Sequence, residues 1–351
     1  MKIELNDKLT HLTLAPAVGG SIANWYALAT GQPLLRHNDE HAQLPGKLGC
    51  YPLAPWSNRI GEGGFDNPEG WLPLAPNSAL DPLPIHGSAW QQAWQVVSQS
   101  ANEAVLEVVC DTPFAYRAEQ RFRLDNGELS ITLRVTHLAE KPAWHGLGLH
   151  PYFPRTAGTR LKAKASQVWL SDASKLPTGL APLPEDWDFQ QLKALPERLV
   201  DNGFCQWDGH CVIEQPELGY SLECNASGAD YFLLFCPPGL GFFCVEPVSH
   251  PVNAHHLAGR PGLKLLEQGQ STHLEFTLKY LPNVCGLARE SGGSVTHLSP
   301  DTPPSRASPL PHFAPRCVKA GCFSAALQYR YSPPPTTPAA TAHSAPGRDR
   351  R

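Results

Sequence analysis

Glycine and proline interrupt residues 1–282 so often that long helices have little room, which limits this part of the chain to short extended segments joined by turns. Between the breaks, apolar residues recur with period two. The clearest run covers residues 116–138, where Phe122 and Leu124 precede Asp125-Asn126-Gly127 and Leu129, Ile131, Leu133 and Val135 then alternate with polar side chains. Because successive side chains of a strand point to opposite faces, this pattern predicts an antiparallel hairpin with one buried face. Further β-rich stretches are His11-Leu12-Thr13-Leu14, Ala104-Val105-Leu106-Glu107-Val108-Val109 and Leu274-Glu275-Phe276-Thr277-Leu278-Lys279-Tyr280. Many short strands, turn signals and no internal repeat predict an all-β fold, a large antiparallel sandwich or a barrel.

The length of 351 residues fits either one large β domain or two smaller units, and 42% hydrophobic residues are enough for a substantial core. Charged residues make up 17%, below the roughly 25% usual for globular chains. With a formal net charge of −4 there is no electrostatic reason to expect a nucleic-acid or membrane partner. The N-terminus, Met1-Lys2-Ile3-Glu4-Leu5-Asn6-Asp7, has neither the basic nor the apolar region of a signal peptide, and no apolar run is long enough to span a bilayer, so a cytoplasmic location is expected. Ten cysteines sit mostly in apolar runs such as Phe242-Phe243-Cys244-Val245, which predicts buried free thiols rather than disulfides. In that setting the sequon Asn225-Ala226-Ser227 is expected to carry no glycan.

The composition changes near residue 283. Residues 285–351 hold 11 prolines, and eight Lys or Arg against three acids give a net of +5, which leaves −9 for the rest of the chain. A β-sandwich domain over residues 1–282 and a Pro-rich, disordered tail over 283–351 are expected. The tail is either a basic tether or a dispensable extension.

Four segments stand out as polar and aromatic together: Pro55-Trp56-Ser57-Asn58-Arg59-Ile60-Gly61, Leu83-Pro84-Ile85-His86-Gly87-Ser88-Ala89-Trp90, Trp144-His145-Gly146-Leu147-Gly148-Leu149-His150-Pro151-Tyr152-Phe153, and Cys244-Val245-Glu246-Pro247-Val248-Ser249-His250-Pro251. A pyranose offers hydroxyls to charged or amide groups and an apolar C–H face to an aromatic ring, so a sugar site needs both residue kinds within reach.

In this order the segments resemble the aldose 1-epimerase (galactose mutarotase) family, over about residues 1–282. Asn58-Arg59-Ile60, His86-Gly87, His150-Pro151-Tyr152-Phe153, Asp201-Asn202-Gly203-Phe204 and Glu246-Pro247 each match a family motif. The departures are Pro247-Val248-Ser249-His250 after Glu246 and Ser88-Ala89-Trp90 after Gly87, which leave the sugar open and point to a bacterial subgroup of the family. The resemblance implies a galactose mutarotase-like supersandwich that exchanges the anomers of an aldose by acid–base ring opening. It implies Glu246 as the base and His150 as the acid, with His86, Arg59, Asp201 and Asn58 holding the substrate. It implies no cofactor, and a monomer or homodimer. A hexose-6-phosphate mutarotase, needing a further cation such as Arg260 beside Arg59, and a non-catalytic sugar-binding protein are the alternatives.

Structural readings compete at each position. Glu246 could belong to a structural salt bridge, His150 could be a core histidine like nearby His145, Arg59 could be a cation covering Trp56, and Asp201-Asn202-Gly203 is also a turn sequence. A metal is not expected: there is no Cys-x-x-Cys or His-Glu-x-x-His, and on one strand His145 and His150 would point to opposite faces. A glycosidase would need a second catalytic carboxylate such as Asp201, and the paired histidines argue against it. Gly146-Leu147-Gly148 is only a fragment of a dinucleotide fingerprint.

Overall fold

In the computed structural model, which describes residues 2–37, 42–79 and 81–283, the period-two segments become strands of two large antiparallel sheets. One sheet runs in the order Ile3–Asn6, Thr10–Ala15, Ser21–Ala27, Cys50–Leu53, Gly148–Pro151, Phe242–Val248, Tyr231–Cys236, Val200–Cys205, Gln167–Ser171, Pro177–Pro182, with Phe153–Pro154 as an extra pairing on Phe242–Val248. The other runs Lys193–Ala194, Arg160–Ala163, His210–Gln215, Tyr220–Ser227, Ser271–Pro282, Glu128–His137, Tyr116–Asp125, Glu103–Cys110, Gln95–Gln99. Among the described residues there is no α-helix, only short 3-10 turns.

The hairpin read from residues 116–138 forms in the expected register, from Asp125 opposite Glu128 to Tyr116 opposite His137. Asn126 and Gly127 close it at φ 51° and 80°, the left-handed pair that a two-residue turn needs to match strand twist. Leu129, Ile131, Leu133 and Val135 are all buried, and they meet Leu12, Trp25, Leu149, Leu234 and Val245 of the opposite sheet in one shared core. Each such side chain contributes roughly 1.5–3 kcal/mol when fully buried, so the seam between the sheets is the main source of stability.

Two readings from sequence change here. Asp201-Asn202-Gly203 is not a turn but part of strand Val200–Cys205. His145 and His150 occupy separate strands, Ala143–His145 and Gly148–Pro151, in different sheets, so the single-strand argument against a shared ion does not apply. The described cysteines, Cys50, Cys110, Cys205, Cys211, Cys224, Cys236 and Cys244, are free and buried, as expected. Among the described residues no helix is long and apolar enough to cross a membrane. The tail, from residue 284 onward, lies outside the described residues.

Candidate active site

Strand alternation sends Leu149, Val245 and Leu234 into the sandwich core, and it places their neighbours His150, Glu246 and Leu233 on the opposite face of the same sheet. Cross-strand pairing then lines them up. Tyr51 faces His150, Gly148 faces Val248 and so brings His150 beside Glu246, Glu246 faces Leu233, and Leu233 faces Gly203. Asp201, two residues before Gly203, lies on the same face opposite Phe235. This row is the floor of a cleft of about 790 Å³ that is also lined by Asn58, Arg59, Asp81, His86 and Trp90.

Loops bring the remaining groups over the floor. Asn58 and His86 both adopt left-handed backbone conformations, at φ 60° and 62°. They hold each other: the Asn58 N–H donates to His86 Nδ1 at 3.0 Å, and the His86 N–H donates to the Asn58 carbonyl at 3.0 Å. Non-glycine residues held in this region cost about 1–3 kcal/mol each, a strain that tends to gather where geometry serves a site. The next residue, Gly87, admits no side chain, since a Cβ there would lie 2.0 Å from the Ala54 carbonyl oxygen. Asn77 braces the loop, donating to the carbonyls of Ile85 and Gly87 and accepting from the Ile85 N–H, each at 2.8 Å.

With Nδ1 accepting from the backbone, a neutral His86 must carry its proton on Nε2 and is therefore a donor toward the cleft. Burial, then His150 and Arg59, hold its pKa well below the ordinary histidine value, so it stays neutral. Arg59 donates from Nε to Asp81 Oδ2 at 2.7 Å and from a terminal nitrogen to Asn58 Oδ1 at 3.2 Å, with Asp201 Oδ2 at 3.9 Å. The guanidinium is thus aimed into the cleft between two carboxylates rather than laid over Trp56. Asp201 has its own pKa raised by burial, partly offset by Arg59 and Lys175.

His150 Nε2 and Glu246 Oε1 are 3.3 Å apart. The imidazole packs against both Tyr51 and Tyr152, with centroids 4.7 and 4.6 Å away, and it is nearly fully buried. Burial, then the charge of Arg36, pushes its pKa down from 6.5 to about 3. Glu246 has no exposed surface, and neither of its oxygens accepts a hydrogen bond. Burial, reinforced by Asp201 and opposed by Arg59, raises its carboxyl well above the usual range. Such an unsatisfied group is not a structural salt bridge, because a buried carboxylate kept for stability would be hydrogen-bonded. His145 sits 3.0 Å from His137 with its Nδ1 unpartnered, and His250 accepts from the Ser57 N–H while donating to the Pro251 carbonyl; neither lines the cleft, and both are core histidines.

All six residues singled out from sequence line this one cleft. Sequence reasoning missed Asp81, Asn77, Tyr51 and Arg36. Arg36 lies 3.6 Å over the Tyr152 ring and donates to the carbonyls of Gly46 and Leu48, tying the rim of the cleft to the stack around His150. No motif signalled these residues, and only Trp90 and Tyr152 stood inside the aromatic segments. Arg260 lies elsewhere, over the Trp144 ring at 5.1 Å.

The buried histidines make folding pH-dependent. His145 and His150 are pushed to about 3 and His250 to about 4, and His86 and His255 are lowered as well, all chiefly by burial. The unfolded chain therefore binds more protons than the folded one below pH 6.5, so stability present above that pH is lost as pH falls toward 3. The raised carboxyls of Glu246 and Asp201 oppose this, two groups against five. Urea unfolding at pH 5 should show a clear loss relative to pH 7, at up to about 2 kcal/mol per buried imidazole. Equal midpoints at the two pH values would contradict the burial account.

A family model described as aldose 1-epimerase matches residues 1–279. The chain is 34% identical over 271 residues to the uncharacterised Escherichia coli K12 protein YphB, covering 74% of this chain and 92% of that one. It is similar to a solved Escherichia coli K12 structure, provisionally described as an aldose 1-epimerase, at TM-score 0.77 and 31% identity over 80% of this chain and 99% of the other. A galactose mutarotase-like protein of Clostridium acetobutylicum shares the fold at TM-score 0.71 and 17% identity, over 80% and 95% of the two chains.

Proposed function

The chain belongs to the aldose 1-epimerase family, and from that premise we propose that it interconverts the α and β anomers of a free aldose by acid–base ring opening. The observation carrying this reading is the 3.3 Å approach of His150 Nε2 to Glu246 Oε1 on the floor of a cleft large enough for a pyranose. Opening a hemiacetal requires a proton to leave the C1 hydroxyl as another reaches the ring oxygen. Glu246 takes the first and His150 supplies the second; rotation about C1–C2 presents the other carbonyl face, and closure reverses both transfers. Each group supplies about 10²–10⁴-fold when correctly placed.

Ring opening converts a carboxylate and an imidazolium into a carboxylic acid and a neutral imidazole. Burial favours the neutral partition, which assists ring opening but leaves the resting pair with its proton on Glu246, so the pair must first be charged at a cost that Arg59 lowers by helping Glu246 to ionise. His86 donates from Nε2 to the ring oxygen or an adjacent hydroxyl, Trp90 offers an apolar face, and Arg59, Asp201 and Asn58 orient the remaining hydroxyls.

The free sugar is preferred over a hexose 6-phosphate because Arg59 already faces Asp81 and Asp201 and Arg260 is not on the cleft, which leaves the exposed Lys47 as the further cation that a phosphate would have to use. A phosphate dianion would meet those carboxylates at close range. NMR or polarimetry on freshly dissolved α-anomers of a panel of free and phosphorylated hexoses tests the proposal. Equilibration no faster than buffer for every aldose, with calorimetric binding retained, would favour a sugar-binding protein without catalysis.

Asp81 should act through Arg59. Removing its charge in Asp81→Asn is expected to raise KM by roughly 10–100-fold, the range of a charge-assisted hydrogen bond, with a smaller change in kcat. Steady-state anomerisation kinetics check this, and an unchanged KM would remove Arg59 from the substrate site.

A further inference from the structure

We propose that Cys244, Glu246 and His150 form a binding site for a thiophilic divalent cation of the zinc or cadmium type. One donor atom from each of the three residues lies within 4.8 Å of the others, and all three residues are buried. The strand geometry explains the convergence. Cys244 and Glu246 are two residues apart on Phe242–Val248 and so share a face, and His150 arrives on the neighbouring strand Gly148–Pro151.

Bond lengths of about 2.0–2.3 Å place the donors of a tetrahedral zinc site roughly 3.3–3.8 Å apart, so closing the widest separation by about 1 Å completes the set. Sulfur, nitrogen and oxygen together suit a soft or borderline cation rather than magnesium or calcium.

A second observation points the same way. Neither Glu246 oxygen has a hydrogen-bond partner, although both are buried, and His150 Nε2 stands 3.3 Å from Oε1. An ion would satisfy a carboxylate that no hydrogen bond among the described residues holds. Charge also balances: a thiolate and a carboxylate neutralise a divalent cation, which a dry floor requires. Binding releases the Cys244 thiol proton and the proton that Glu246 holds in the neutral pair. Three protein donors leave a fourth position, open to water on the cleft side where Glu246 and His150 line the wall. The ion would occupy the carboxylate and imidazole of the proposed reaction and so inhibit it. This inhibition rests on the anomerase reading, whereas binding of the ion does not.

The test is a cadmium titration of the full chain, followed by the ultraviolet thiolate-to-cadmium charge-transfer band. The wild type should show one equivalent of band that Cys244→Ser lacks, and Glu246→Gln should weaken the affinity for that equivalent by tenfold or more. Cys244 takes no part in the proposed proton transfers, so Cys244→Ser should keep its anomerisation rate while losing at least tenfold in cadmium inhibition. A band of equal size in wild type and Cys244→Ser, or equal affinity in wild type and Glu246→Gln, overturns the proposal. A Cys244-dependent band in a protein that anomerises no sugar would uphold the cation site and reject the functional reading instead.

Discussion

Replacing Glu246 with Gln should lower kcat for anomerisation by about 10²–10⁴-fold while leaving the fold intact. The amide is nearly isosteric and cannot accept the C1 proton. Few native contacts are lost, because neither Glu246 oxygen accepts a hydrogen bond and the residue is fully buried. Removing a carboxyl that burial disfavours should leave the thermal midpoint unchanged or higher. Polarimetry with calorimetric sugar binding and a thermal scan on the same sample separates the outcomes. Wild-type anomerisation by Glu246→Gln would end the case for this residue as the base.

The second large effect is non-additivity. His150→Asn alone should cost a similar factor, since it removes the proton donor to the ring oxygen, and the double variant Glu246→Gln with His150→Asn should be scarcely slower than the worse single variant. Groups that act as one unit behave this way, because removing either partner already abolishes the concerted exchange. At 3.3 Å these two groups are close enough to share a proton. Losses that multiply in the double variant would mean that the residues work independently.

Several parts of this arrangement were legible in the residues. Leu129, Ile131, Leu133 and Val135 alternate with polar neighbours, and only one register buries all four, so their strand and its partner follow from local pattern. The Asn126-Gly127 turn is equally local, since its φ values suit that dipeptide and few others. Glu246, His150, His86, Arg59, Asn58 and Asp201 could be singled out because their short motifs match a family in order. The Asp-Asn-Gly of residues 201–203 misled in one respect: its turn propensity is overridden by pairing with Tyr231–Cys236.

Other partners had no local signal. Asp81 lies 22 positions from Arg59 and Asn77 eight from Ile85, and nothing in their neighbourhoods marks them as a counter-ion and a brace. Arg36 reads as an isolated cation, yet it caps the aromatic stack that holds His150. Cys244 reads as one more apolar thiol until the adjacent strand delivers an imidazole beside it.

By itself the sequence determined that this chain would be built of short antiparallel strands with one apolar face, because side-chain periodicity and turn chemistry act over a few residues. It also marked which polar groups stand near aromatic ones. Tertiary structure alone decided that a carboxyl and an imidazole 96 positions apart meet at 3.3 Å, and that both are dry. Register across neighbouring strands and closure of the loops over them set desolvation and proximity, and those two quantities control proton affinity.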